Sequence, residues 1–571
     1  MAEILIKNGY VIDPLNGIRG EVMDIGVKNG KIVPPDQVDT RYAKVIDASG
    51  CLVVPGGIDV HSHVAGPKVN SGRLLMPQDH YRIGRVIRAI PGVRRSGTGK
   101  SVPSVTNIGY KYARMGWTTV MEAASPPLYT RHTHHELDDT PIVDKGVNLL
   151  LDSNWFILEY IENKDQARVN AFISWILRAT KSYAVKLVDP GSAEAWSRGV
   201  ATQPLNIDDV IPGTSLTPKD ILTALANAVR DLGLPHPIHV HANMLGLPGN
   251  YVTTMKTVET VANIANKRGL SIHLAHLQFN AYKGDTYATM LSAAEELAKL
   301  INNLSGVTFD MGQVVFGGTV TMTADAPWEF YLYHLVKWKW AAKDVEAETA
   351  AGIVPYKFRR HIYTNVIQWG IGLELALLVK DASKVVISTD HPNAGPFTRY
   401  PQIIAWLMSK KAREQEMTKL NKKAVKRLSL PAIDREYTFE EFVLSTRVAP
   451  AKIIGLEKIK GHLGVGADAD IAIYNIDPRT FDPSREYGKL IKAIKYAKYT
   501  IKNGEIVVKD GKIVKTVYGR TFYVEPPSDP KLEPEVLGDV REKFKEWYSV
   551  ALNNYVILNE ELRKVEPIRT Y

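Results

Sequence analysis

The sequence predicts an α/β protein: a (β/α)8 TIM-like barrel joined to a composite β-sandwich domain built from both chain ends. Three observations carry this. Eight apolar runs alternate with helix-period segments, the pattern of a parallel sheet wound with helices. The stretch from His61 in the first run to Asp390 in the last is 330 residues, within the range of such barrels with insertions. Finally, the two ends of the chain share a short-stranded, turn-rich character.

That shared character lies in "ILIKNGYVID" and "DIGVKNGKIV" near the start and "YTIKNGEIVVKDGKIV" far downstream. Asn-Gly or Asp-Gly between β-branched residues is a strong hairpin signal, because both residues accept positive φ. Residues 1–55 and 448–526 are therefore expected to pair into one β domain. The barrel is expected over 56–447. Its strands are read in "GGIDVHSH", "GWTTVMEA", "VNLLLDSN", "YAVKLVDPG", "HPIHVHAN", "SIHLAHLQ", "GVTFDMGQ" and "KVVISTDHP". Helical periods such as "TPKDILTALANAVRDLG" and "SAAEELAKLINNL" fall between them. Residues 527–571 form a Pro-punctuated linker and a helix-like tail, read as an amphipathic helix on the chain's own surface or, more sharply, as a docking element for another subunit.

The 571 residues carry a formal net charge of +10 and a single cysteine, Cys51. One cysteine excludes an intramolecular disulfide and any Cys-based cluster, and fits a reducing cytoplasm. The start shows no signal peptide and no run reaches the length of a membrane span, so a cytoplasmic location is expected. Lys and Arg are dispersed and no nucleic-acid motif is visible; an anionic substrate or acidic partner accounts for the excess. Neither "GIGLELALL" nor "LGVGADAD" forms the strand–GxGxxG–helix unit of a nucleotide site.

Functional side chains of such barrels sit at the carboxyl ends of the strands. Those ends supply His61, His63, Lys186, His241, His276 and Asp390. Imidazole nitrogen and carboxylate oxygen suit divalent metals such as zinc. Lys186 is the odd member: an ammonium donates only and cannot bind a metal, and burying it alone costs several kcal/mol. Carbon dioxide addition to its amine would give an anionic carbamate able to bridge two metals. Lys181, five residues earlier, is the rival, expected before the strand in solvent.

The H-x-H of strand 1, the lysine of strand 4, single histidines on strands 5 and 6 and the aspartate of strand 8 resemble the amidohydrolase superfamily of the binuclear-metal type. The return "GHLGVGADADIAIYNID" is similar to the same group. More narrowly, "GGIDVHSHVAGPKVNSGRLLMPQDH", "GWTTVMEAASPPLYTRHTHHELDDTP", "HVHANMLGLPGNY", "HLAHLQFNAYKGDTY" and "STDHPNAGPFTRYP" resemble the A subunits of formylmethanofuran dehydrogenases. The resemblance implies two zinc ions, a carboxylated lysine at Lys186, and formate and methanofuran as substrates. It also implies partner subunits that hold the tungsten or molybdenum pterin and the iron–sulfur clusters, one of them generating formate. On this reading Asp390 is both metal ligand and proton carrier, and Asn243, Gln278 and Asn393 are candidate substrate contacts. A stand-alone cyclic amidohydrolase is the enzyme alternative, and a metal-free scaffold subunit the alternative of another class.

Several histidines have plainer readings. His239 is expected as a core or supporting group beneath His241. His273, three residues before His276, is expected to face the helices. His132, His134 and His135 of "RHTHHELDD" are expected in a βα loop, as a polar network or substrate contact rather than a second metal site. The basic stretch "RIGRVIRAIPGVRRSG" (82–97) reads as a solvated helix face or as a recognition element for a carboxylate-bearing tail.

Overall fold

In the computed structural model, residues 3–81, 86–199, 204–345 and 347–570 are described. Eight parallel strands run in chain order around a barrel: β1 (Gly57–Ser62), β2 (Trp117–Ser125), β3 (Asp144–Leu150), β4 (Ala184–Val188), β5 (Ile238–His241), β6 (Ile272–Leu274), β7 (Val307–Asp310) and β8 (Val385–Val386). Each pairs in parallel with the next. A parallel bridge between Ser62 and His391 brings the first strand to the last, where the His63 N–H donates to the His391 carbonyl at 2.6 Å. These strands are buried on both faces, which is why each reads as a mainly apolar run rather than an alternating one, with a few buried polar residues such as Asp59, Glu122, Asp144 and Lys186 inside it.

The two chain ends share a second sheet. Ile471–Tyr474 lies antiparallel to Leu52–Pro55, joining the downstream hairpins to Ile4–Asp13 and Ile18–Lys28 in one nine-stranded sheet. Its own core includes Ile4, Ile6, Val27, Val53, Ile471 and Ile501. Between this sheet and the start of β3 lies a buried ion cluster. The Lys460 and Lys502 ammonium groups reach the Asp144 carboxylate at 2.6 and 2.7 Å, and both also meet Asp470.

The chain's end departs from expectation in two ways. Thr521–Glu525, expected in the composite domain, pairs with Lys145 of β3 and with Val565–Arg569, so it extends the barrel's sheet. The tail is thus helix and strand together. Its helix, Leu532–Trp547, buries Val536, Val540 and Phe544 four residues apart, against the barrel helix Gln166–Ala179. Tyr160 donates to Asp539 at 2.8 Å and the Arg178 guanidinium pairs with Glu533, so the helix lies on the chain's own surface.

An insertion unforeseen from sequence follows β7. Gly317–Thr323 pairs antiparallel with Gly352–Phe358, and the helix Ala326–Val336 lies between them. Among the described residues of the basic stretch, Ile87 bridges Gly97 and Ile90 bridges Arg94, so 87–97 is a β-turn excursion and not a helix. Arg82 and Arg85 lie outside the described residues. No helix among the described residues is long and apolar enough to cross a membrane.

Candidate metal centre and cavity

β1 carries His61 inward, and His63 follows directly after the strand; both are buried. Their Nε2 atoms converge on one carboxylate oxygen, Asp390 Oδ1, at 3.1 and 3.4 Å. His276 Nε2 stands 3.9 Å from the other oxygen, and the rings of His241 and His276 lie 4.6 Å apart edge to face. His276 and Asp390 both adopt positive φ, at 33° and 46°. Non-glycine residues hold that conformation only where their surroundings impose it, a pattern common at functional sites. Lys186 lies within β4 beside His239, fully buried, and its Nζ has no hydrogen bond. Lys181 precedes the strand, half-buried, with its ammonium over the Tyr523 ring.

Burial opposes charge throughout this spot, and the two carboxylates overcome it at one imidazole. Burial opposes protonation of His61, yet Asp310 and Asp390 together carry it up to about 9. Burial opposes the charge of Asp390 too, and His276 and His61 outweigh it, holding the carboxyl well below its ordinary range. Desolvation takes Lys186 down to about 7, with only partial relief from Asp310 and Asp390. Desolvation likewise lowers His241, and takes His276 to about 3, so both imidazoles are neutral and can offer lone pairs.

The donor set fits a metal. His61, His63 and Asp390 present ligand atoms within 4.8 Å of one another. Lys186 Nζ, His241 Nε2 and His276 Nδ1 are buried without hydrogen bonds, which is costly for polar groups with nothing to bind. Further carboxylates stand behind the histidines: His63 Nδ1 meets Glu122 Oε1 at 3.1 Å and His61 Nδ1 meets Asp310 Oδ2 at 3.2 Å. Carboxylates in that position fix the orientation of ligating rings. Glu122 also accepts the N–H groups of Val64 and Ala65, pinning the turn after β1. Asp59 accepts the His61 N–H at 3.1 Å and the Tyr112 hydroxyl at 2.7 Å.

Glu122 and Asp310 were missed by sequence reasoning, although each is a charge inside an apolar run, the signal that singled out Lys186. His273 corrects an expectation. It faces the barrel interior, with Nδ1 3.0 Å from the Thr308 hydroxyl and Nε2 3.4 Å from Asp310. Strand alternation ends at Leu274, so it does not relate His273 to His276, which a left-handed backbone turns back inward. His239 Nε2 meets His61 Nδ1 at 2.9 Å, a supporting position. "RHTHHELDD" lies in the helix Pro127–Asp138 up to Asp138, with Asp139 following its end, and is not a loop. His134 is buried against the Thr180 carbonyl at 3.1 Å, while His132 and His135 face outward beside Glu136 and Glu561.

A cavity of about 280 Å³ opens beside the cluster. His241, His276, Asp390 and Asn393 form one end; Phe279, Tyr287, Trp328, Tyr356 and Phe358 give it an aromatic wall, and Glu329 joins them. Of the three amide candidates, only Asn393 lines it, donating to Asp390 Oδ2 at 2.8 Å. Asn243 is turned away to Asp189 and the Pro190 carbonyl. Gln278 is buried outside the lining, its amide without a hydrogen bond.

Residues 44–508 match the model of an amidohydrolase family, Amidohydro_3. The chain belongs to that family. Amidohydrolases are typically metal-dependent, and the cluster at the barrel mouth is of the kind that holds such an ion. The chain is 49% identical to Protein FwdA of Methanocaldococcus jannaschii, over 98% of its own length and 97% of the relative's. It is 36% identical to the A subunit of the formyltransferase/hydrolase complex Fhc of Methylorubrum extorquens, over 94% of each. The crystal structure of that organism's formyltransferase/hydrolase complex (FhcABCD) with methylofuran superposes with a TM-score of 0.88 at 33% identity, covering both chains completely. The resemblance read from the motifs to A subunits of this kind is thus matched along the whole chain.

Proposed function

We propose that this amidohydrolase makes and breaks the formyl amide of a methanofuran-type amine: formate and the amine condense to the N-formyl amine, or the N-formyl amine is hydrolysed. The observation that carries this is the full-length likeness to an A subunit of a complex bound to methylofuran. The aromatic cavity beside the ligand cluster supports it, since an aminomethylfuran ring fits such walls. His61, His63, Lys186 as its carbamate, His241, His276 and Asp390 would hold two divalent cations, zinc by donor type. When bound, such a pair polarises a carbonyl and makes water a nucleophile near neutral pH.

The chain's own groups do the rest. Asp390 takes the proton of the attacking water at Oδ2, where Asn393 steadies it, and delivers that proton to the departing nitrogen. The reverse sequence serves condensation. The buried amine of Lys186, near half neutral at pH 7, has the free lone pair that carbon dioxide requires. Condensing formate with an amine in water is uphill, so the chain is expected to act in a multi-subunit complex. There a partner, carrying a tungsten or molybdenum pterin and served by iron–sulfur subunits, makes formate close by.

The test is turnover by metal-loaded protein of N-formylfurfurylamine against a cyclic ureide, with Asp390→Asn as control. Deformylation that the Asn variant lacks is expected; preference for the ureide would favour a dihydroorotase-like enzyme. Metal-free protein from native cells, with no turnover, would favour a scaffold.

A further inference from the structure

The reaction leaves one proton unassigned. An alkylamine arrives at neutral pH as an ammonium, which has no lone pair, yet condensation needs the free base. Asp390 handles the proton exchanged between nitrogen and water, so a second acceptor is required in the same cavity.

Glu329 stands there. It lies on the helix Ala326–Val336, its side chain is fully buried, and it lines the cavity with Asp390 and Asn393. Its Oε1 has no hydrogen bond. Its Oε2 is 2.9 Å from the Thr321 hydroxyl, which is also 2.9 Å from the Val354 carbonyl. A hydroxyl donates only one proton but also accepts. Thr321 can therefore donate to an ionised Glu329, or accept from a protonated Glu329 while donating to Val354. The carboxyl is provided for in both states. Burial raises this carboxyl well above the ordinary glutamate range; Asp325 at the start of its own helix and Asp390 add to that and Lys68 on Pro67–Leu75 opposes it, so Glu329 holds a proton more firmly than a solvated carboxylate would.

We infer that Glu329 is the amine-binding base: its unbonded oxygen receives the substrate's ammonium, and its carboxyl takes the proton that frees the nitrogen lone pair. This rests on the function proposed above. In condensation the ammonium gives one proton to Glu329, and the lone pair forms the C–N bond to the formate carbon. A second nitrogen proton passes to Asp390 and on to a formate oxygen. That oxygen leaves as hydroxide and becomes water with the proton Glu329 held. Ammonium and formate go in, formamide and water come out, and both carboxylates are restored.

The experiment uses the full-length, metal-loaded protein with furfurylamine plus formate in one direction and N-formylfurfurylamine in the other. Loss of one hydrogen bond to a charged group corresponds to about tenfold to a hundredfold in affinity. Glu329→Gln is expected to raise the KM for furfurylamine by that factor at neutral pH. The KM for the neutral formyl amide should stay within about threefold, and the amine defect should close at alkaline pH, where the amine arrives uncharged. Glu329→Asp should keep most of the selectivity. Thr321→Val keeps the carboxyl and removes the hydroxyl that donates to its ionised form, so the condensation optimum should move alkaline. Equal KM changes for amine and formyl amide, or a defect independent of pH, would overturn the assignment. Absence of turnover by the unmutated protein would instead refute the proposed function itself.

Discussion

Replacing Lys186 by methionine separates two roles of one buried side chain. Its amine is carried from 10.5 to about 7, chiefly by desolvation. At ~1.4 kcal/mol per unit, that displacement costs the metal-free fold on the order of 5 kcal/mol below neutral pH. The sign is that of a depressed lysine. The unfolded chain binds more protons between about 7 and 10.5, so the full penalty applies below that window and fades as pH rises through it. Methionine has similar length and carries no charge, so metal-free Lys186→Met should resist urea better than metal-free wild type at pH 7, with the gap narrowing toward pH 10. The same variant has no amine to carboxylate, so it should fail to retain two metals and lose kcat/KM by about a thousandfold or more. Urea titrations of chelated protein, elemental analysis and deformylation kinetics read the three effects. A variant less stable without metal, or one that keeps both ions and its activity, would refute the reasoning.

Other outcomes follow from the same contacts. Lys186→Ala leaves space, so short carboxylates or bicarbonate should restore part of its metal binding and rate. Asp310→Asn removes the carboxylate shared by His61 and His273; metal affinity, read by competition with a chelator, should fall about 10- to 100-fold. Asp144→Asn removes the carboxylate that Lys460 and Lys502 share at the seam between the sheets and leaves both on Asp470. It should cost about 1.5–3 kcal/mol of unfolding free energy while leaving kcat unchanged, because Asp144 begins β3 and the site lies at the other end. Metal uptake during reconstitution with bicarbonate should slow about tenfold per pH unit below about 7, as Lys186 becomes protonated.

The barrel was legible because parallel strands covered on both faces are mainly apolar, and six polar residues within or after them stood out against that background. Those six were named from position along each strand, and β1, β4 and β5 kept the expected direction up to the mouth. Where the strand stopped early the reading failed: β6 ends at Leu274, so parity said nothing about His276 and wrongly sent His273 outward. Asn243 and Gln278 were chosen for nearness in sequence to ligands, but side-chain direction decides which amide reaches the cavity, and only Asn393 does. The insertion Gly317–Phe358, which brings Glu329, Trp328 and Tyr356 over the mouth, makes contacts remote in sequence that no local period encodes. The last strand, Val565–Arg569, is half exposed and contains a proline, so it lacks the apolar signature of its neighbours.

Anomalous diffraction from crystals of the metal-loaded protein, recorded across the zinc absorption edge, tests the central claim most directly. Two peaks enclosed by His61, His63, His241, His276 and Asp390, with branched density extending from the Lys186 amine between them, are what the account predicts. A cavity without a bound cation, or peaks elsewhere beside an unmodified Lys186, would contradict it.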